Sequence, residues 1–496
     1  MTTMRLTVHR FRTLTLVSFA ATIGISFAIA CGTEVSIPEP EPGIKPVPDA
    51  GADTSVATDA TTSDSAVEDG GIDATDVVCP DVSPDDATGI YATPTGTNSP
   101  TCGTRAAPCK TLSHSVTRAG SAFRTKVYAA RGTYLEKLTL LAGVEVIGGW
   151  DVTGTTWKRT CNAPEEAVVV RAPAGQNVTV EARDIGGQAT VSMVRIESKA
   201  AAQVLPGESL YGVVAVGTTT ALVLNTVRIE MADGVAGANG AKGDAGIAAA
   251  IGCNAGTGAA GANGAQGAGA AAGNYDPTNG YTPGTALNGG AAGSGANGVA
   301  GGTGTCVTCG SCAVDIAMLG CDFTPDPAQP TCGKDGTPGC AGAAGGVGGA
   351  GTSGGSNIAV FAWDATVTIN ASKVRSGDAG NGGNGGAGGA GGAGTKGAGG
   401  ASPDLCTVGC TFDPIGIACT PVKARGDGGA AGDAGGAGGT GGAGGGGGGG
   451  SSFAIYQGGQ GLVTTTATTL LHGKAGTGGT PAGGMGAAGL AADRIP

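Results

Sequence analysis

The sequence predicts an all-β solenoid: short strands stacked as coils of one parallel β-helix, interrupted by long glycine-rich insertions that are polyglycine-II-like or disordered. Three observations carry this. A unit of apolar strand, polar turn, second strand and Gly-x-Ala-Gly recurs at 209–237, 357–380 and 452–476, with the cores YGVVAVGTTTALVLNTVRIEMADGVAG, IAVFAWDATVTINASKVRSGDAG and AIYQGGQGLVTTTATTLLHGKAG. A second match, VSMVRIE at 191–197 against LNTVRIE at 224–230, has an offset of 33 residues. Short β-rich runs also follow one another without helices between them: Ala167–Arg171, Asn177–Glu181, Ala189–Ile196, Tyr211–Val216 and Leu222–Ile229. Such strands cannot form βαβ crossovers, whereas stacked coils let each bury its apolar face on its neighbours. A β-sandwich would place tight Asn-Gly hairpins between these runs, and none stands there.

Along the chain, residues 1–31 read as an export signal. Arg5, Arg10 and Arg12 precede the apolar run 14–30, which ends in Ala28-Ile29-Ala30-Cys31. A small residue before Cys resembles the bacterial lipobox. That resemblance implies a lipidated Cys31 at the mature N-terminus, with several acyl chains giving stable anchoring. Gly32 in place of Asp then implies the outer membrane or cell surface. Ordinary cleavage after Ala30 and an uncleaved anchor are the other outcomes.

Residues 32–88 hold 14 Asp or Glu against the single Lys45, with Pro38, Pro40, Pro42, Pro46 and Pro48 at their start. Like charges and prolines extend such a segment, which reads as a disordered stalk. Asp85 and Asp86 fall in it. With −13 in the stalk, +3 in the leader and −11 overall, residues 89–496 carry about −1. No basic patch is present to neutralise phosphates, so nucleic acid is not an expected partner.

The body is divided into 89–232, coils with a capping helix, and 233–496, further coils carrying the insertions. Pro108-Cys109-Lys110-Thr111-Leu112, Val127-Tyr128-Ala129-Ala130, Gly132-Thr133-Tyr134 and Gly148-Gly149-Trp150-Asp151 resemble the opening coils of pectin-lyase-like proteins. That resemblance implies a right-handed β-helix. Leu112 and Val116 lie four apart, on one face of a helix suited to covering the open first coil. Gly132, Gly148 and Gly149 suit corners that need a positive φ.

From Gly234 the composition changes. Gly234, Gly237, Gly240, Gly243 and Gly246 keep a three-residue period, as do Gly377, Gly380, Gly383, Gly386, Gly389 and Gly392. Proline is too rare at the intervening positions for collagen. Packed polyglycine helices and disorder are the two readings left. GGAGGAGG at 385–392 resembles the PGRS glycine-rich surface proteins, which implies a non-enzymatic surface role.

Of 15 cysteines, 14 remain after Cys31, and an exported chain with an even number favours disulfides. The candidates are Cys79, Cys102, Cys109, Cys161, Cys253, an islet of Cys306, Cys309, Cys312, Cys321, Cys332 and Cys340, and a second islet of Cys406, Cys410 and Cys419. The three in the second islet need a partner in the first islet or at Cys253. Cys306, Cys309 and Cys312 also have metal-site spacing, which oxidising export disfavours.

Pectin-lyase-like enzymes work through clustered carboxylates, and glycoside chemistry needs two with separate roles. Asp151, Asp184, Glu197 and Glu230 are scattered in sequence. Arg195 and Arg228 with Glu197 and Glu230 suit a charge ladder along stacked coils. His114 on the capping helix and His472 after a strand read as surface or packing residues. Gly473-Lys474-Ala475 lacks the hydroxyl of a phosphate-binding loop, and no cofactor is expected. The expected function is a lipid-anchored, non-enzymatic surface protein touching polysaccharide, envelope or neighbouring cells. The alternative is a polysaccharide lyase, hydrolase or binding module. Thr218–Thr220 and Thr464–Thr466 raise a third idea, water ordering at an ice surface.

Overall fold

A computed structural model describes residues 82–415, 417–480 and 482–495. The leader, Cys31, Cys79 and the stalk to residue 81 lie outside the described residues.

The described chain is mostly β, and three parallel sheets dominate it. The chain visits them in a fixed order. Val178–Arg183 belongs to the third sheet, Gly187–Ser192 to the first and Arg195–Glu197 to the second. Leu210–Val216, Thr220–Asn225 and Arg228–Glu230 repeat that order. So do Asn357–Trp363, Thr366–Asn370 and Lys373–Arg375, and then Ser452–Gly458, Leu462–Thr466 and Thr469–Leu471. The one antiparallel partner in these sheets is Thr156–Arg159, which pairs with Glu145–Thr153.

The recurrent units are therefore neighbours in space, in register. Val180, Val213, Val360 and Ile455 are successive partners in the third sheet. Ala189, Leu222, Val367 and Val463 align in the first. Val170, Ile196, Ile229, Val374 and Leu470 align in the second. These columns share one core, buried except for the partly buried Leu470. The register is compulsory, because a one-residue slip would turn each column to solvent. Arg195 faces Arg228, as the 33-residue offset requires.

The corners between sheets are equally regular. Asp184, Gly217, Asp364 and Gly459 have φ of 46°, 112°, 56° and 60°. Met193, Thr226, Ala371 and Ala467, at the next corner, have φ of 54°, 50°, 46° and 47°. A left-handed residue bends the chain sharply enough for strands to follow within two or three residues. Gly132 and Gly149 have positive φ as expected. Gly148 does not, and is needed for space: a Cβ there would lie 1.9 Å from the Met193 carbonyl oxygen.

At the N-terminal end of the sheets, the helix Leu112–Ser121 buries Leu112, Val116 and Ala119 in the core. Thr111 caps it, and the Glu136 carboxylate accepts from the Leu112 and Ser113 N–H groups at 2.6 and 2.9 Å. Ordered structure starts earlier than the sequence suggests. Asp86 accepts from the Tyr91 hydroxyl and from Arg105, and Asp85 accepts from Thr88, so both belong to the body.

The glycine tracts are hydrogen-bonded to one another with a period of three. Gly234, Gly237, Gly240, Gly243 and Gly246 donate to the carbonyls of Asp378, Asn381, Asn384, Ala387 and Ala390 at 2.7–2.8 Å. Gly383, Gly386, Gly389 and Gly392 donate to Thr352, Gly349, Gly346 and Ala343, each at 2.8 Å, with the two segments running in opposite directions. Gly441, Gly444 and Gly447 donate to Gly389, Gly386 and Gly383. Gly441–Gly450, which contains the longest glycine run, is buried throughout. It sits where tracts close on it from several sides, and no larger side chain would fit there. Along 381–390 the exposed residues are Asn381, Asn384, Ala387 and Ala390, every third position.

The first insertion also returns to the body. Its hairpin, Asn274–Asp276 with Gly280–Thr282, lies on the outer face of the third sheet. Tyr275 stacks on Tyr456 with ring centroids 4.3 Å apart, and the Tyr281 N–H donates to the Tyr211 hydroxyl at 2.7 Å. The insertions are thus packed structure, where the sequence left disorder open.

Candidate functional site

Six disulfides pair twelve of the thirteen described cysteines: Cys102–Cys109, Cys253–Cys340, Cys306–Cys332, Cys309–Cys406, Cys312–Cys410 and Cys321–Cys419. Cys161 is also disulfide-bonded. Each cysteine of the second islet finds its partner in the first. Cys306, Cys309 and Cys312 go to three different partners, and a sulfur in a disulfide is not a thiolate ligand. The same holds for Cys102 and Cys109 beside His114, whose Nε2 lies 3.0 Å from the Ser99 carbonyl.

Of the candidate carboxylates, Asp151, Glu197 and Glu230 are committed to cations. On the outer face of the second sheet Arg171, Arg195 and Arg228 interleave with Glu166, Glu197 and Glu230. Glu166 bridges Arg195 at 3.1 Å and Arg228 at 2.6 Å, and Glu197 lies 2.5 Å from Arg171 and 2.8 Å from Arg195. Glu230 pairs with both Arg195 and Arg228. Burial pushes the Glu230 carboxyl up, but Arg228 and Arg195 outweigh it and hold it below its ordinary value. Glu181 behaves alike between Lys137 and Arg183. Asp151 is held down by its hydrogen bond from Arg131, with Thr160 adding a second at 2.8 Å. It lines an open hollow of about 930 Å³ beside Thr93, Pro94 and Arg105. A general acid needs a raised pKa, and these three groups are shifted the other way.

Asp184 and Asp364 stand in one corner column with Gly217 between them, and both line an open hollow of about 590 Å³ with Arg183 and Thr278. Sequence reading singled out Asp184 alone. The equivalence of Asp184 and Asp364 follows from the strand register, since the Asp184 N–H donates to Val216 and the Gly217 N–H to Trp363. His472 pairs with Asp493, on the last described strand, at 2.7 Å.

The outer face of the first sheet is different. Across four strands its outward residues are Gln188, Thr190 and Ser192, whose hydroxyl donates to Glu145 of the adjoining strand; Ala221, Val223 and Asn225; Thr366, Thr368 and Asn370; Leu462, Thr464 and Thr466. None is charged. Asn370 donates to the Asn225 side-chain oxygen at 2.9 Å, and the Thr464 hydroxyl lies 3.3 Å from that of Thr368. Neighbouring strands lie ~4.8 Å apart, so these residues form a regular grid of hydroxyl, amide and methyl groups. Thr218 and Thr219 lie in a turn and Thr220 is buried, so that triplet is not part of it.

No family model matches the chain, and no curated protein or solved structure matches it.

Proposed function

We propose that this is a lipid-anchored, non-enzymatic surface protein whose body is a right-handed parallel β-helix. In this reading the three parallel sheets are the helix walls and the glycine tracts are a polyglycine-II bundle of PGRS type. Cys31 carries the anchor at the outer membrane or cell surface, and the acidic stalk holds the body away from it. The first-sheet grid is the contact surface for uncharged polysaccharide of the matrix or envelope. The observation that carries this is the absence of charge on that grid across four strands. A neutral saccharide has no charge to pair, and a rigid row of weak contacts gains affinity through repetition. Cosedimentation with insoluble neutral polysaccharide tests it. Binding is expected to fall at least tenfold in Thr368→Lys/Thr464→Lys, and retention in full would reject the grid. Replacing Cys31→Ala and fractionating the cells tests the anchor.

The second reading is a polysaccharide hydrolase or lyase, favoured by Asp184 and Asp364 lining one hollow. Product release from acidic and neutral polysaccharides, abolished in Asp184→Asn and Asp364→Asn, would replace the first reading with this one.

A further inference from the structure

Two hairpins protrude from the glycine tracts, Cys306–Asp315 with Gly320–Cys332 and Cys406–Asp413 with Ala418–Ala424. They are copies of one design, offset by 97 or 98 residues through three bridges: Cys309–Cys406, Cys312–Cys410 and Cys321–Cys419. Asp315 accepts from the Ala317 N–H and Asp413 from the Ile415 N–H, so both turns start alike. Cys321 and Cys419 sit immediately beyond the two turns and are bonded together, which places the turns side by side.

Hairpin turns are ordinarily polar. Here they present Ile316 (79% exposed), Met318 (80%), Leu319 (67%), Ile415 (95%) and Ile417 (59%). Leu319 and Ile417 hold equivalent positions with φ of 43° in each, a conformation that costs a β-branched residue most. Neither burial nor backbone preference accounts for aliphatic residues there. Scattered exposed apolar residues are commonplace, but five together on one rigid tip mark a contact site.

We propose that this double tip inserts into a lipid bilayer of neutral headgroups. The tip's apolar side chains stand well exposed, and a bilayer accepts them without a matching shape, whereas a protein partner would need a complementary cleft. Charge selects the lipid. Asp315, Asp322 and Asp413 flank the tip, and the one basic residue on either hairpin, Lys423, pairs with Thr407 at the far end. Anionic headgroups would be repelled, since attraction to them needs Lys or Arg. The bridges hold the side chains presented without a folding cost on insertion. The inference does not depend on the anchor or the polysaccharide grid.

The test uses the full chain with Met318→Trp and phosphatidylcholine vesicles carrying brominated acyl chains. Blue-shifted emission from the introduced indole and at least twofold quenching are expected. Adding Ile415→Asp and Ile417→Asp should abolish both, while Ala328→Asp, on the same hairpin, should leave them unchanged. Peptide mapping without reductant checks that the three bridges persist in every variant. Emission unchanged by neutral vesicles, quenching seen only with anionic ones, or a shift that follows protein concentration without vesicles would each overturn the proposal. The last would mean that a second copy covers the tip. Attachment through the leader alone leaves the indole in water, so the result is independent of the anchor.

Discussion

Gly386 approaches Ala241 so closely that a Cβ on Gly386 would lie 2.0 Å from the Ala241 carbonyl oxygen. The same relation repeats at Gly383 with Ala238, at 2.0 Å. The neighbour is backbone in each case, so it cannot rotate away. Gly386→Ala is expected to destabilise the tracts by about 1–3 kcal/mol, the cost of overpacking. Ala387→Ser, at the exposed third position, should be neutral. Thermal unfolding with hydrogen exchange across 380–392 checks both.

Hydrogen bonds alone hold the tracts weakly. One contributes about 0.5–1.5 kcal/mol net, and ordering one backbone residue costs about 1–2 kcal/mol. The Cys309–Cys406 and Cys312–Cys410 bridges close loops of 97 and 98 residues. Restricting the unfolded chain over such loops stabilises by roughly 4–5 kcal/mol in the entropic account, non-additively for overlapping bridges. Mild reduction is therefore expected to raise amide exchange in 333–354 and 428–450 first. Val213, Val360 and Ile455 should stay protected.

Lys199 is completely buried as a side chain and pairs with Glu208 at 2.5 Å. Glu208→Gln leaves that ammonium without its charge partner and should cost about 3–5 kcal/mol. Lys199→Met with Glu208→Leu removes both charges and should cost much less. Chemical denaturation of the four members of the cycle measures the difference.

Glu230 and Glu181 sit below their ordinary value of 4.5. The unfolded chain then binds more protons just below that value, so stability contributed by the pairs is present above it and lost as pH falls through the folded pKa. Glu230→Gln should flatten the stability profile below pH 4.5 and leave its shape above pH 6 unchanged. Denaturation midpoints between pH 3 and 7 test the sign.

Thr226 is β-branched at φ 50° in the corner column. Thr226→Asn should stabilise by about 1 kcal/mol, because Asn tolerates the left-handed region far better. A rise in melting temperature is the readout, and no change would show that the corner is unstrained.

Much of the architecture was legible in the chain. The three units at 209–237, 357–380 and 452–476 declared their mutual stacking, because parallel in-register strands put like residues on like. The VRIE match located the Arg–Glu ladder for the same reason. An even number of cysteines after Cys31 pointed to disulfides, and the odd second islet to cross-bridging. Glu166 in that ladder, the Lys199–Glu208 pair and the shared corner column of Asp184 and Asp364 left no local signal, since each joins residues from different strands or turns.

By itself the sequence determined which segments repeat, where the apolar faces lie and which spacing the glycines keep, all properties of short-range pattern. Only the tertiary structure decided that the glycine tracts pack as ordered neighbours, which cysteine meets which, and that two hairpin turns share one apolar tip. A glycine period is equally consistent with a solvated chain and a packed one. The difference lies in whether another segment supplies the carbonyl that each third N–H requires.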